Sequence, residues 1–96
     1  MTHPFWRAVA ERCIALRIAV EGDDRGCKTR FAKRIGVERS RWRNVENSFA
    51  LSRGLAFRLI KVFPGLSLDW LYFGKTDGLS TKMSELLDEG RFRDED

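Results

Sequence analysis

Apolar residues recur along this chain at steps of three and four, and nowhere do they alternate with polar residues as in a half-buried strand. Phe5, Val9, Cys13, Leu16 and Val20 form the first stripe, with Trp6 and Ala10 alongside. They predict a helix that starts at Pro4, behind Thr2 or His3, and runs to about Val20. Glu21 to Gly26 is polar, carries two glycines and reads as a loop. Phe31, Ala32 and Ile35 then give a second helix one apolar face, which Gly36 ends as a residue tolerant of positive φ does. Val37 falls in the turn. Trp42 and Val45 are the only apolar residues of a short helix over about 38–47, so its inward stripe is narrow.

Beyond Phe49-Ala50-Leu51, Ser52 is a cap for a fourth helix with Leu55, Ala56, Leu59, Ile60, Val62 and Phe63 as its apolar set, ended by Pro64-Gly65. Ser67 caps a short helix carrying Leu68, Trp70, Leu71 and Phe73, and Gly74 stops it. Trp70, set among aliphatics, reads as core and not as a platform for a base. After a turn over Lys75 to Gly78, Ser80 caps a final helix through Asp88 with Leu79, Met83, Leu86 and Leu87 on one side. The pattern predicts an all-α, compact five-helix domain, six-helix if the last segment is counted. It spans residues 1–90, and an acidic tail over 91–96, frayed beyond Gly90, follows.

Composition changes this picture little. At 96 residues, with 43% hydrophobic and 33% charged, the chain is one ordinary globular domain without room for a separate catalytic one. Cys13 and Cys27 form no CxxC pair and do not neighbour a histidine, so neither zinc nor a disulfide framework is expected, and Cys13 reads as core. His3, the single histidine, reads as a solvated end residue and not as a ligand. The acids of the 21–26 loop lack the calcium-loop spacing. No serine or cysteine has a histidine partner and no glycine loop cradles a phosphate, so no enzyme, cofactor, metal or small-molecule substrate is expected. Arg17 interrupts the longest apolar stretch near the start, which argues against a signal peptide or membrane span and for a reducing cytoplasm.

Charge is more informative than composition. Over Lys28 to Ser48, seven cations against two acids leave +5, whereas the whole chain is +4. The excess is therefore concentrated on the second and third helices. Opposite Trp42 and Val45 project Arg39, Ser40, Arg43, Asn44 and Asn47, with Arg41 on one flank and Glu46 on the other. An ordinary solvated helix interleaves acids with its bases, but no acid lies on this face. Arg, Ser and Asn are the types that read phosphates and base edges. From Lys82 onward the charge is −3, three cations against six acids, which places that end away from a DNA-facing surface.

These residues carry a resemblance. Lys28 to Ser48 is similar to the helix-turn-helix of the Xre/Cro-like, phage-repressor-type family, written Gln-x-x-x-Ala-x-x-x-Gly-Val with a recognition helix ending in Ile/Val-Glu-x-Gly. Lys28 stands in the Gln place, Ala32, Gly36 and Val37 match, Trp42 holds the inward place, and Val45-Glu46 match the ending. Leu66 to Gly74 resembles the closing helix, V-S-x-D-W-L-x-x-G. The resemblance implies a lambda-repressor-like fold and a sequence-specific regulator of transcription, a repressor, that reads double-stranded DNA in the major groove with the helix over about 38–47. It places Arg39, Ser40, Asn44 and Arg43 at base edges and Lys28, Arg41, Asn47 and Arg53 at phosphates. Trp42, Val45, Glu46 and Arg17 become structural supports, Arg17 either pairing with Glu46 or remaining a surface arginine without a fixed partner. It further implies a homodimer, joined through Trp70 to Phe73 or through Leu79 to Leu87 unless the latter covers the monomer's own core. The setting implied is cytoplasmic, bacterial or phage-encoded, and nucleoid-associated. Three departures stand out: the 21–26 connection is longer, Lys28 lacks the amide, and Ser48 replaces Gly, which leaves Asn47 to take the left-handed backbone. A protein-interaction or antitoxin-like module built on the same fold is the rival reading.

Overall fold

The computed structural model describes residues 3–95, with side chains to residue 88. Among these residues there are six helices and no strand: α1 (Pro4–Glu21), α2 (Cys27–Ile35), α3 (Arg39–Glu46), α4 (Arg53–Val62), α5 (Leu68–Phe73) and α6 (Thr81–Glu95). Each start has a local cause. His3 caps α1 by accepting the Phe5 amide at Nδ1, 3.1 Å away, with Pro4 in the first turn where its missing N–H costs nothing. Ser52, Ser67 and Ser80 accept the amides of Leu55, Trp70 and Met83 at 3.2, 3.0 and 3.1 Å and so start α4, α5 and α6.

α1 is the central element, packed against α2, α3, α5 and α6. Its stripe of Val9, Cys13 and Leu16 meets Phe31 and Ile35 of α2, Trp42 and Val45 of α3, Leu55 and Leu59 of α4, and Trp70 and Leu71 of α5 in one core. Burial pushes the Cys13 thiol up to about 12, so it is an unreactive core side chain at neutral pH. Two arginines seal helix ends. Arg12 donates to the carbonyls of Leu71 and Tyr72 at 3.0 Å each, closing α5, and Arg58 donates to that of Ile35 at 3.4 Å, closing α2.

The last helix departs from expectation. α6 continues through Gly90 to Glu95 and does not end at Asp88, because an interior glycine costs a helix only about 1 kcal/mol and no proline follows to break it. Asp96, the end of the expected tail, lies outside the described residues. Trp70, Leu71, Met83 and Leu87 are buried in the chain's own core, so among the large apolar residues of the two segments considered for dimerisation only Phe73 remains strongly exposed, at 64%. No described helix is long and apolar enough to cross a membrane.

Gly65 joins the two halves of this packing. It has φ +99°, its carbonyl accepts the Ser80 amide at 2.9 Å, and a Cβ there would lie 2.3 Å from Ser80 Oγ. Gly65→Ala therefore strains the backbone and pushes off the residue that caps α6. We expect a loss of about 2–4 kcal/mol, read from the urea midpoint.

Candidate nucleic-acid interface

α2, the turn and α3 hold together through two similar C-terminal closures. At the end of α2 the Val37 amide reaches back to the Ala32 carbonyl (3.0 Å) with Gly36 left-handed between them at φ +76°. At the end of α3 the Phe49 amide reaches the Asn44 carbonyl (2.9 Å), and the left-handed residue is Ser48, at φ +72°. Asn47 stays at φ −92°, so the expectation that it would take the left-handed backbone is wrong. The closure itself sets this: the left-handed residue immediately precedes the amide that bonds five residues back. Ser48→Gly relieves about 1–2 kcal/mol of left-handed strain and returns roughly half as chain entropy, so it should stabilise the protein by about 0.5–1 kcal/mol in a thermal melt.

Trp42 and Val45 are the apolar residues that α3 buries. Trp42 lies on Phe31 with ring centroids 4.6 Å apart, and Phe31 stacks on Phe63 at 5.7 Å. Arg39, Ser40, Arg41, Arg43, Asn44 and Asn47 are all exposed. Glu46 is not on the flank of that face. It is turned inward, its side chain 4% exposed, and held by Arg17, whose Nε and Nη2 donate to its two oxygens at 2.9 Å each. The Trp42 indole N–H donates to the same carboxylate, and Lys28 Nζ stands 3.9 Å away.

Arg17 thus has a fixed partner and is buried, not a free surface side chain. Its remaining nitrogen, Nη1, faces the 22–26 loop and donates to the Gly22 carbonyl (3.3 Å), Asp23 Oδ1 (3.1 Å) and Cys27 Sγ (3.3 Å). The two-pronged bond to Glu46 raises its basicity further and outweighs the opposing effect of burial. Sequence reasoning missed Asp23 and Cys27 as its neighbours, although the longer loop just before α2 marks where they lie. The loop also absorbs cations. Arg30 bonds Glu21 (3.2 Å) and Asp24 (2.6 Å), and Arg34 bonds Glu21 (2.6 Å). Arg34 chiefly holds the Glu21 carboxyl below its ordinary range, and Arg30 does so for Asp24. The +5 of the segment is therefore partly neutralised on α2 by acids that lie outside it.

Lys33 of α2 stays exposed and forms no ion pair among the described residues, and the other uncompensated cations of the segment lie on α3. Among the described residues, Arg39, Arg41, Arg43 and Arg53 form no ion pair. Arg41 donates to Ser52 Oγ at 3.1 Å, which brings it to the start of α4 beside the exposed Arg53. Lys28 shares a hollow at the start of α2 with Arg39. The eight expected contact residues thus border one another around α3, with Lys28 and Arg39 at one edge and Arg41 and Arg53 at another. Glu38 is exposed just before Arg39 and caps α3 through its backbone alone, its carbonyl accepting the Arg41 and Trp42 amides. No group of three or more His, Cys, Asp or Glu side chains among the described residues is arranged to hold a metal. Comparison with protein-family models, curated proteins and solved structures finds no match to this chain.

Proposed function

We propose that the chain is a sequence-specific, double-stranded DNA-binding regulator of transcription, a repressor with a lambda-repressor-like fold of the Xre/Cro type. The observation that carries this reading is the outward face of α3: three exposed arginines, Arg39, Arg41 and Arg43, with amide and hydroxyl side chains and with Arg53 of α4 beside them, the nearby acids Glu46, Glu21 and Asp24 being engaged in ion pairs elsewhere and Glu38 standing exposed at the helix start. A face of this kind presents donors to a polyanion, while a buried ion pair behind it fixes the angle of the helix.

In the major groove, Arg39 and Arg43 are of the type that grips guanine O6 and N7 with two bonds, Asn44 of the type that pairs with adenine N6 and N7, and Ser40 accepts or donates. Lys28, Arg41, Asn47 and Arg53 set the register on phosphates, which carry no sequence information. One such module offers few contacts, so we take the working form to be a homodimer on two half-sites about 34 Å apart. Phe73 is its leading apolar contact.

Affinity for a labelled duplex should fall linearly on a log–log plot between about 50 and 200 mM salt, and Lys28→Ala or Arg53→Ala should each reduce the slope by about 1. A slope near zero would exclude a phosphate-tracking face. The protein-interaction reading draws on the exposed Phe49, Phe57 and Phe73, at 60, 53 and 64%. Salt-insensitive, negligible binding to every duplex would favour it.

A further inference from the structure

α4 has a second face that the DNA reading leaves unused. Gly54, Phe57, Arg58 and Lys61 follow one another at steps of three, one and three, and all are exposed, so they form one outward stripe about 10 Å long. Beside it, between α4 and the end of α2, runs a groove of about 580 Å³ floored by Ile35 and Val62. It is a groove open to solvent along its length and not an enclosed packing defect.

The chemistry of the groove selects the occupant. Phe57, half exposed, is an apolar anchor without a cover. Arg58 is steadied at the rim by its bond to the Ile35 carbonyl, which leaves its charge uncompensated, and among the described residues Lys61 forms no ion pair. No acid lines the groove. A Cβ at Gly54 would meet nothing within 4 Å, so one end is open to a close approach. We propose that this groove docks an acidic, amphipathic segment of a partner protein, one of its aliphatic side chains covering Phe57 while its carboxylates meet Arg58 and Lys61. Duplex DNA would satisfy the two cations but leave Phe57 uncovered, since its bases are stacked inside. A segment that is both acidic and apolar satisfies both. The inference stands on α4 and the end of α2 and does not depend on what α3 reads.

The test is fluorescence anisotropy at about 100 mM salt with a labelled peptide of roughly twelve residues, Leu at every third or fourth position and Glu between. Binding in the micromolar range is expected, about tenfold weaker when the leucines become serine, and about tenfold weaker for Phe57→Ala and for Lys61→Glu. Gly54→Leu should fill the open end and abolish binding. All three positions are exposed, so the circular-dichroism melts of these variants should stay close to that of the parent. No binding at about 1 mM peptide, or binding that Phe57→Ala and Lys61→Glu leave unchanged, overturns the proposal. So does a single-stranded oligonucleotide that binds through Phe57 while the peptide does not, which would reassign the groove to nucleic acid.

Discussion

Glu46→Ala should cost the fold about 3 kcal/mol or more in urea unfolding, among the largest effects of any single substitution in this chain. The reason is what it leaves behind. Arg17 and Glu46 are each 4% exposed at the side chain, and removing the carboxylate strands a buried guanidinium and deprives the Trp42 indole of its acceptor. Asp23, 3.1 Å from Arg17, still offers a partial counter-charge, which keeps the loss toward the lower end of the range for broken buried pairs. Arg17→Met with Glu46→Leu removes both charges and should recover the part of the loss that comes from the stranded guanidinium, because a buried pair exchanged for apolar side chains of similar volume is often close to neutral, while the Trp42 indole still lacks its acceptor. Additive single and double losses would show that the pair is not coupled. The pair's specific contribution is then to orientation: the Met/Leu protein should fold yet bind DNA more weakly, since nothing fixes the angle of α3.

Trp42→Ala should be comparably damaging, at about 3–5 kcal/mol. α3 has eight residues and only two buried apolar ones, so its apolar attachment to the body rests on Trp42 and Val45, with the Glu46 ion pair beside them. The indole is fully buried against Phe31 and also bonds Glu46, so truncation opens a cavity and releases one prong of the carboxylate's network. Amide hydrogen exchange should accelerate across α3 far more than in α1, where Val9, Cys13 and Leu16 keep their contacts with α5. Uniform acceleration through all six helices would show instead that α3 does not open separately.

Much of this architecture is legible in the sequence, because helices announce themselves by period and by caps. The stripe of α1, the serines at 52, 67 and 80, and the glycines at 36 and 74 are local signals, and each has a local cause in the structure. What resists reading is tertiary. Whether Arg17 meets Glu46 depends on how two helices pack, the residues being 29 positions apart, and no periodicity encodes that. The same holds for Glu21 and Asp24, which lie outside the basic segment in sequence but against Arg30 and Arg34 in space, so a charge count over the segment overstates the field of α2. Ser48 shows a third kind of limit. A preference for asparagine in the left-handed region pointed to Asn47, but the bond pattern of the helix end, not the residue type, selects the position. The polar residues of α3 are legible as one exposed face, and the base each would meet under the proposed function is not, since that assignment belongs to a complex.

The most direct test of the central claim is selection of bound duplexes from a random pool at about 150 mM salt. The account predicts enrichment of a palindromic motif with half-sites about one helical turn apart, relaxed at one position per half-site by Arg39→Ala or Asn44→Ala. A pool that enriches no motif, or variants of α3 that bind the selected site as tightly and as selectively as the parent, would contradict it.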